Sequence, residues 1–229
     1  MGLRHLRLIA VNIDGVLLND TFSPVIHRFV VKRGGTYTAE LERAVFSQPR
    51  MRAATVLAEP GERPEDVIEA YFREREQYLA EEPVRLLDGA GALLARLRAT
   101  GASVVCYGGL ARAHFDRHLA AYGDCFDEPG YVCTDSFRPG VREIAEDVFG
   151  LRCDQVLFLD DVARVAEAAR SRGASFIGHP TAYPHGFQRA LMREAGVRHV
   201  VGSLDEVDER LLRLVDSEAA EGRSWPPAG

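Results

Sequence analysis

Short apolar runs alternate with amphipathic segments along most of the chain. The apolar runs predict six buried strands, at residues 6–13, 103–107, 131–134, 156–159, 175–177 and 199–201. The clearest helical patterns cover residues 64–81, 89–100, 110–122, 140–149, 162–172, 186–195 and 204–215. Because crossover helices join parallel strands, this order predicts an α/β fold, a Rossmann-like parallel sheet with helices on both faces.

One long interruption separates the first predicted strand from the second, where roughly 80 residues replace a single crossover helix. We therefore assign residues 1–20 and 84–220 to the α/β core, and residues 21–83 to a small inserted subdomain that is mostly helical. Within the insertion, the helix over residues 64–81 begins with proline and two acidic residues, which is typical of a helix start. A second inserted helix is predicted over residues 38–46.

Composition and charge are those of an ordinary globular protein. Of the 229 residues, 46% are hydrophobic and 27% are charged, which is enough for a substantial core. The formal charge of -6 gives no general attraction to nucleic acid or to anionic membranes, and no apolar run is long enough to span a bilayer. The four cysteines form no CxxC pair, so we expect reduced thiols in a cytoplasmic protein. Residues 221–229, which contain two prolines, predict a loose tail.

Polar side chains follow two of the predicted strands. Asn12 and Asp14 come directly after the first strand, and Asp160 and Asp161 come directly after the fourth. A turn or a helix N-cap explains a single asparagine or aspartate at such a point. Two such groups together favour a shared site at the carboxyl edge of the sheet, where open α/β sheets bind ligands.

These segments resemble two motifs of the haloacid dehalogenase-like superfamily. Its first motif is a strand followed by DxDG(T/V)L, and here Asn12 and Asp14 stand at the two aspartate positions. Its fourth motif is an apolar strand that ends in paired acids, matched by Asp160 and Asp161, and its helical C1 cap is inserted where residues 21–83 lie here. The resemblance covers nearly the whole chain. It implies a phosphatase in which the first aspartate attacks phosphorus, the second acts as acid and base, and Asp161 binds Mg²⁺.

Several positions depart from the pattern that this resemblance implies. Asn12 replaces the nucleophile, and a neutral amide supplies neither the attacking carboxylate nor an anionic metal ligand. Tyr107, followed by Gly108, replaces the hydroxyl residue that binds phosphate, and Arg138 replaces a lysine. Val162 replaces a polar residue of the fourth motif. Because Arg138 keeps the positive charge and Gly108 could offer a backbone N–H, we expect Tyr107, Gly108 and Arg138 to bind an anion.

Three hypotheses follow from these departures. The first is a pseudoenzyme that binds or regulates through a protein partner, self-association or a small anionic ligand, with Mg²⁺ held weakly at Asp160 and Asp161. The alternative is a hydrolase or transferase for a small phosphorylated or other anionic substrate, in which Asp14 or Asp161 activates water. The third is an engineered aspartate-to-asparagine substitution at Asn12 that traps the substrate of a phosphatase.

Three further features admit both a structural and a functional interpretation. His114 and His118 are four residues apart on a predicted helix, but no third ligand is near in sequence, which favours an exposed helix face. The mixed charges of residues 73–76 also predict a solvated face. The loop over residues 178–185 either lines the pocket or serves as a rigid connector.

Overall fold

The computed structural model describes residues 2–227, in which six strands and nine α-helices follow one another. The strands are β1 (Leu8–Asn12), β2 (Ser103–Gly108), β3 (Tyr131–Cys133), β4 (Val156–Asp160), β5 (Ser175–Gly178) and β6 (His199–Val200). The helices are α1 (Phe22–Lys32), α2 (Ala39–Val45), α3 (Arg50–Leu57), α4 (Pro64–Glu81), α5 (Ala90–Arg98), α6 (Arg112–Leu119), α7 (Ala163–Arg172), α8 (Gln188–Glu194) and α9 (Glu209–Ala220).

All six strands are parallel and form one sheet in the order β3-β2-β1-β4-β5-β6. The first strand therefore lies between β2 and β4, with Asn12 opposite Tyr107 and Val11 opposite Leu159. The chain moves outward from β1 in one direction and then returns to continue from β4 in the other. This reversal leaves a crevice at the carboxyl ends of β1, β2 and β4.

The central strand is buried on both sides, as its continuous apolar run requires. Ile9 and Val11 belong to one core cluster, which includes side chains of α5, α6 and α9. Leu8 and Ala10 point the other way, into a cluster that includes side chains of α7 and α8. Successive side chains of a strand alternate between the two faces of a sheet, so helices cover both faces and the predicted fold is confirmed.

Four helices, α1 to α4, lie between β1 and β2 in the chain. Helices α1, α3 and α4 share a small apolar cluster built on Phe29, Ala54 and Val67, whereas Val45 of α2 packs into the core cluster of Leu8 and Ala10. Helix α4 has the bounds that the sequence predicted, whereas α1 was not predicted and α3 lies in a stretch with no clear periodicity.

The solvated face expected at residues 73–76 is wrong for Glu74. This residue is only 8% exposed. Its carboxylate forms ion pairs with Arg28 at 2.5 Å and with Lys32 at 2.8 Å. The buried carboxylate thus joins α4 to α1, because both of its cationic partners lie on α1.

Three other predicted segments differ from the structure. The helix expected over residues 140–149 is a π-helix, Glu143–Val148. The helix expected over residues 204–215 is divided into a short 3₁₀ turn, Leu204–Glu206, and α9, which begins where Asp208 accepts from Leu211 N at 2.8 Å. The tail is not loose as far as it is described, since the Trp225 indole donates to Ala174 O at 2.8 Å. Residues 228–229 of the predicted tail lie outside the described residues. Among residues 2–227, no helix is both long and apolar enough to cross a membrane.

Candidate functional site

The sheet order brings the predicted site residues to one place. Asn12, Tyr107 and Asp160 lie at the carboxyl ends of three adjacent strands, and Asp14 and Asp161 follow within two residues. These five residues and Arg138 line one cavity between the sheet edge and the inserted helices. Gly108 does not line it: this residue is buried at the end of β2, and its neighbour Gly109 faces the cavity instead.

The Asn12 side chain is held by two hydrogen bonds at the end of β1. Its amide nitrogen donates to Asp161 Oδ1 at 2.8 Å and to the backbone oxygen of Asp14 at 2.7 Å. The reverse orientation of the amide would place the Asn12 oxygen against these two acceptors and lose both bonds. The amide therefore satisfies the two oxygens that surround it.

Two adjacent carboxyls are buried below the Asn12 amide. Asp160 and Asp161 are 2% and 4% exposed. Asp160 accepts from the Tyr107 hydroxyl and, at 2.7 Å, from Val162 N. Burial raises the pKa of Asp160, and burial together with the nearby Asp160 charge raises the pKa of Asp161. Desolvation disfavours the charged form of each group, and the Arg138 charge offsets this effect only in part at Asp160.

A tight turn after β1 brings the backbone against these acids. Gly15 has a φ of 87°, which favours glycine, and a Cβ at this position would overlap the Asp161 carboxyl. The Gly15 carbonyl oxygen lies 2.9 Å from His179 Nδ1. The loop over residues 178–185 thus contacts the turn that carries Asp14.

His114 lies in the site, so the exposed helix face predicted for it is wrong. Its Nε2 lies 2.9 Å from Asp14 Oδ1, and its side chain is 12% exposed. Helix α6 begins four residues after β2, and this short connection places its first turn at the same sheet edge as Asp14. The sequence held one signal for this role, a histidine in the first turn of the helix that follows Tyr107 and Gly108. The neighbouring His118 ring packs against it edge-on.

The arrangement does not fit Mg²⁺. This ion prefers oxygen ligands in octahedral geometry, and Asp161 Oδ1 and the Asp14 carbonyl oxygen are ligands of that type. Both already accept from the Asn12 amide nitrogen, which a cation would have to displace. In the described part of the chain, no three His, Cys, Asp or Glu side chains are placed to hold a metal.

The cavity has a volume of about 140 Å³ and an apolar side that the sequence did not predict. Its polar floor consists of the residues at the sheet edge. Its apolar side is formed largely by the inserted helices, including Phe22, Ile26, Ala54, Leu57, Ile68 and Phe72. Val162 and the nearby Val165 extend the apolar lining on the sheet side.

Comparison with known proteins finds similarity in structure only. No family model matches the chain, and no curated protein matches it in sequence. β-Phosphoglucomutase from Clostridium difficile is 14% identical, with a TM-score of 0.68 over 94% of this chain and 99% of that chain. A HAD family hydrolase from Deinococcus radiodurans R1, whose crystal structure holds phosphate and sodium, is 20% identical, with a TM-score of 0.60 over 98% and 99% of the two chains.

A third solved structure agrees with these two. It is a conserved haloacid dehalogenase-like protein of unknown function from Agrobacterium tumefaciens str. C58, 17% identical, with a TM-score of 0.62 over 91% of this chain and 99% of that chain. At such low identities the likeness concerns the fold and not the activity. The chain therefore has the α/β fold of haloacid dehalogenase-like proteins, with four helices inserted between its first and second strands.

Proposed function

We propose that the chain is a haloacid dehalogenase-like binding protein, a pseudoenzyme that forms no phosphoaspartate. The observation that carries this proposal is the Asn12 amide, whose nitrogen donates to Asp161 at 2.8 Å and to the Asp14 carbonyl at 2.7 Å. The lone pair of an amide nitrogen is delocalised, and the amide is neutral, so it makes a poor nucleophile toward phosphorus. The binding role is exercised through a small anionic ligand, a protein partner or a second copy of the chain.

The hydrogen bonds of the other polar groups support the same proposal. The Tyr107 hydroxyl donates to Asp160 and is not free to donate to a phosphoryl oxygen. Asp14, at the acid and base position, is paired with His114 at 2.9 Å. Each of these groups has a partner within the protein, so the site needs neither phosphate nor metal to satisfy them.

Phosphatase assays on the wild-type chain and on Asn12→Asp test this proposal. The substrates are p-nitrophenyl phosphate and a panel of phosphorylated metabolites, each supplied with Mg²⁺. We expect no turnover by the wild type. Activity that appears only in Asn12→Asp would mean that the pocket is intact and that the nucleophile is the one missing catalytic group. Wild-type turnover that is abolished by Asp14→Asn would contradict the proposal.

The contact between Asp14 and His114 favours a second candidate function. A histidine paired with a buried carboxylate can act as a general base toward water, which a hydrolase or transferase of altered mechanism requires. The test is hydrolysis of p-nitrophenyl acetate and p-nitrophenyl phosphate. This candidate predicts a rate that His114→Gln abolishes and His118→Gln leaves largely intact. Equal rates in all three proteins would argue against it.

A further inference from the structure

One guanidinium in the cavity forms no salt bridge with the described residues. Two arginines line the cavity, Arg50 and Arg138. Arg50 is ion-paired with Asp135 at 3.0 Å and lies over the Phe72 ring, with 5.1 Å from its Cζ to the ring centroid. Within residues 2–227, the half-buried Arg138 guanidinium has no carboxylate oxygen within 4.0 Å, and its charge acts on Asp160 only at longer range. A guanidinium presents parallel N–H donors that match the two oxygens of a planar anion.

A second donor in the cavity is also unpaired. The hydroxyl of Tyr71, on α4, is shielded from solvent and has no hydrogen-bond partner among residues 2–227. Tyr71 and Arg138 line the same cavity, one from an inserted helix and one from the loop after β3. A buried unpaired hydroxyl costs free energy, so a ligand that accepts from it gains affinity.

The apolar side of the cavity limits the size of the ligand. The inserted helices present alkyl and aromatic side chains, among them Ile26, Ala54 and Phe72. The volume of about 140 Å³ is close to that of an apolar protein cavity of about 150 Å³ that holds benzene. Because this volume includes the polar floor, the hydrocarbon part of a ligand is limited to about one aromatic ring.

The charges around the cavity limit the charge of the ligand. Four carboxyl groups line it, namely Asp14, Asp135, Asp160 and Asp161. Asp135 is neutralised by Arg50, which leaves Arg138 as the one unpaired cation among the described lining residues. A phosphate dianion would face three acids with one cation and no Mg²⁺, whereas a carboxylate brings a single charge.

We infer that the cavity binds a small apolar carboxylate, with the carboxylate at Arg138 and Tyr71 and a hydrocarbon group of about one aromatic ring against the inserted helices. This inference rests on the proposed function, because a phosphatase site that held Mg²⁺ and a phosphoryl group would select a dianion instead.

Titration calorimetry with phenylacetate tests the inference on the full chain. Three further probes separate its parts: acetate lacks the ring, 2-phenylethanol lacks the charge, and phenyl phosphate carries a second charge. We expect the Kd of phenylacetate to be at least about tenfold lower than the Kd of each of these probes. A tenfold difference in Kd corresponds to about 1.4 kcal/mol, the size of one favourable contact.

Variants assign the binding to particular residues. Arg138→Gln is expected to weaken phenylacetate binding by about 10- to 100-fold, the range for a hydrogen bond to a charged group, and to leave 2-phenylethanol unaffected. Tyr71→Phe is expected to weaken phenylacetate about fivefold. Ala54→Leu, which fills the cavity from α3, is expected to abolish binding of both. Arg210→Gln, at an exposed position of α9, is the matched control and is expected to change nothing. Thermal unfolding establishes that each variant is folded.

Two results would overturn the inference. One is phenyl phosphate or inorganic phosphate that binds as tightly as phenylacetate. The other is phenylacetate that fails to bind, or binds equally well to wild type and Arg138→Gln. Phosphate release by the wild type would contradict the proposed function instead, so the two failures are distinguishable.

Discussion

Replacing Asn12 with aspartate should make the stability of the chain depend on pH and on a divalent cation. In the variant, a carboxylate would face Asp161 Oδ1 over the 2.8 Å that the amide now bridges. Two unit charges at that separation repel by about 6 kcal/mol at an effective dielectric constant of about 20. Keeping the new aspartate protonated at about pH 7 costs ~4 kcal/mol, because its ordinary pKa is about 3.9 and each pH unit adds about 1.4 kcal/mol. Because the pKa of Asp161 is already raised, Asp161 can hold this proton at lower cost. Protonation of the pair is the cheaper route, so the expected loss is at most about 4 kcal/mol.

The pH dependence of this loss has a definite sign. The folded variant retains a proton that the unfolded chain releases, so the destabilisation grows as pH rises above the ordinary pKa of aspartate. We expect a loss of at most about 1.5 kcal/mol near pH 5 and at most about 4 kcal/mol near pH 7. For a chain of this length, the larger value lowers Tm by about 8–16 °C. Magnesium should reverse most of the loss, because Asn12→Asp removes the N–H groups that occupy the cation position and adds a charged oxygen ligand.

Thermal and urea unfolding in EDTA, near the two pH values and then with magnesium, measure these effects. Asn19 is the chain's other asparagine, and Asn19→Asp is a matched control at a more accessible position, where the amide donates only to Pro83 O at 3.4 Å. The control should show neither pH dependence nor cation dependence. If Asn12→Asp is as stable as the wild type near pH 7 in EDTA, then the Asn12 amide does not satisfy Asp161 in the way described.

Three further predictions concern the surroundings of the site. Gly15→Ala should cost about 3 kcal/mol or more in urea unfolding, since its Cβ would overlap a buried carboxyl, whereas Gly61→Ala, with the same φ of 87° and open space, should cost about 1 kcal/mol. Glu42→Gln should cost about 2–3 kcal/mol, since one acceptor oxygen replaces a buried carboxylate that receives several donors; an unchanged urea midpoint would refute this. His27 stacks on His185 with ring centroids 4.4 Å apart, and burial and the His185 charge lower the pKa of His27. Stability should therefore fall as pH drops below about 6.5, and His27→Gln should flatten that part of the pH profile.

The sheet and the positions of the acids could be predicted because local patterns determine them. A continuous apolar run such as residues 6–13 has few alternatives to a buried strand, and an acid directly after it must lie at the strand's carboxyl end. Parallel pairing then brings Asn12, Tyr107 and Asp160 together without further information. The α/β order and the long interruption after the first strand were equally visible.

The unpredicted parts of the site depend on how helices cross, which no local pattern specifies. His114 and Tyr71 lie on helices that have ordinary amphipathic patterns. Their roles become visible only in the structure, where α6 lies beside Asp14 and α4 lies over the cavity. Glu74 seemed solvated for the same reason, since its partners on α1 are 42 and 46 residues away in sequence. Side-chain pairs that are distant in sequence depend on how the helices pack. The spacing of apolar residues therefore predicts that a helix forms but not which side chains it contacts.

A chain of buried hydrogen bonds connects the inserted helices to the paired acids. Glu42, on α2, is fully buried and accepts from Gln188 Nε2 at 2.7 Å. The same Gln188 side chain accepts from Ala163 N at 2.7 Å, at the start of α7, two residues after Asp161. Any movement of α2 away from the sheet must therefore break a bond to Gln188 or disturb the backbone that follows Asp161. Because buried donors left without acceptors are costly, we expect the position of the insertion and the geometry of the acid pair to change together.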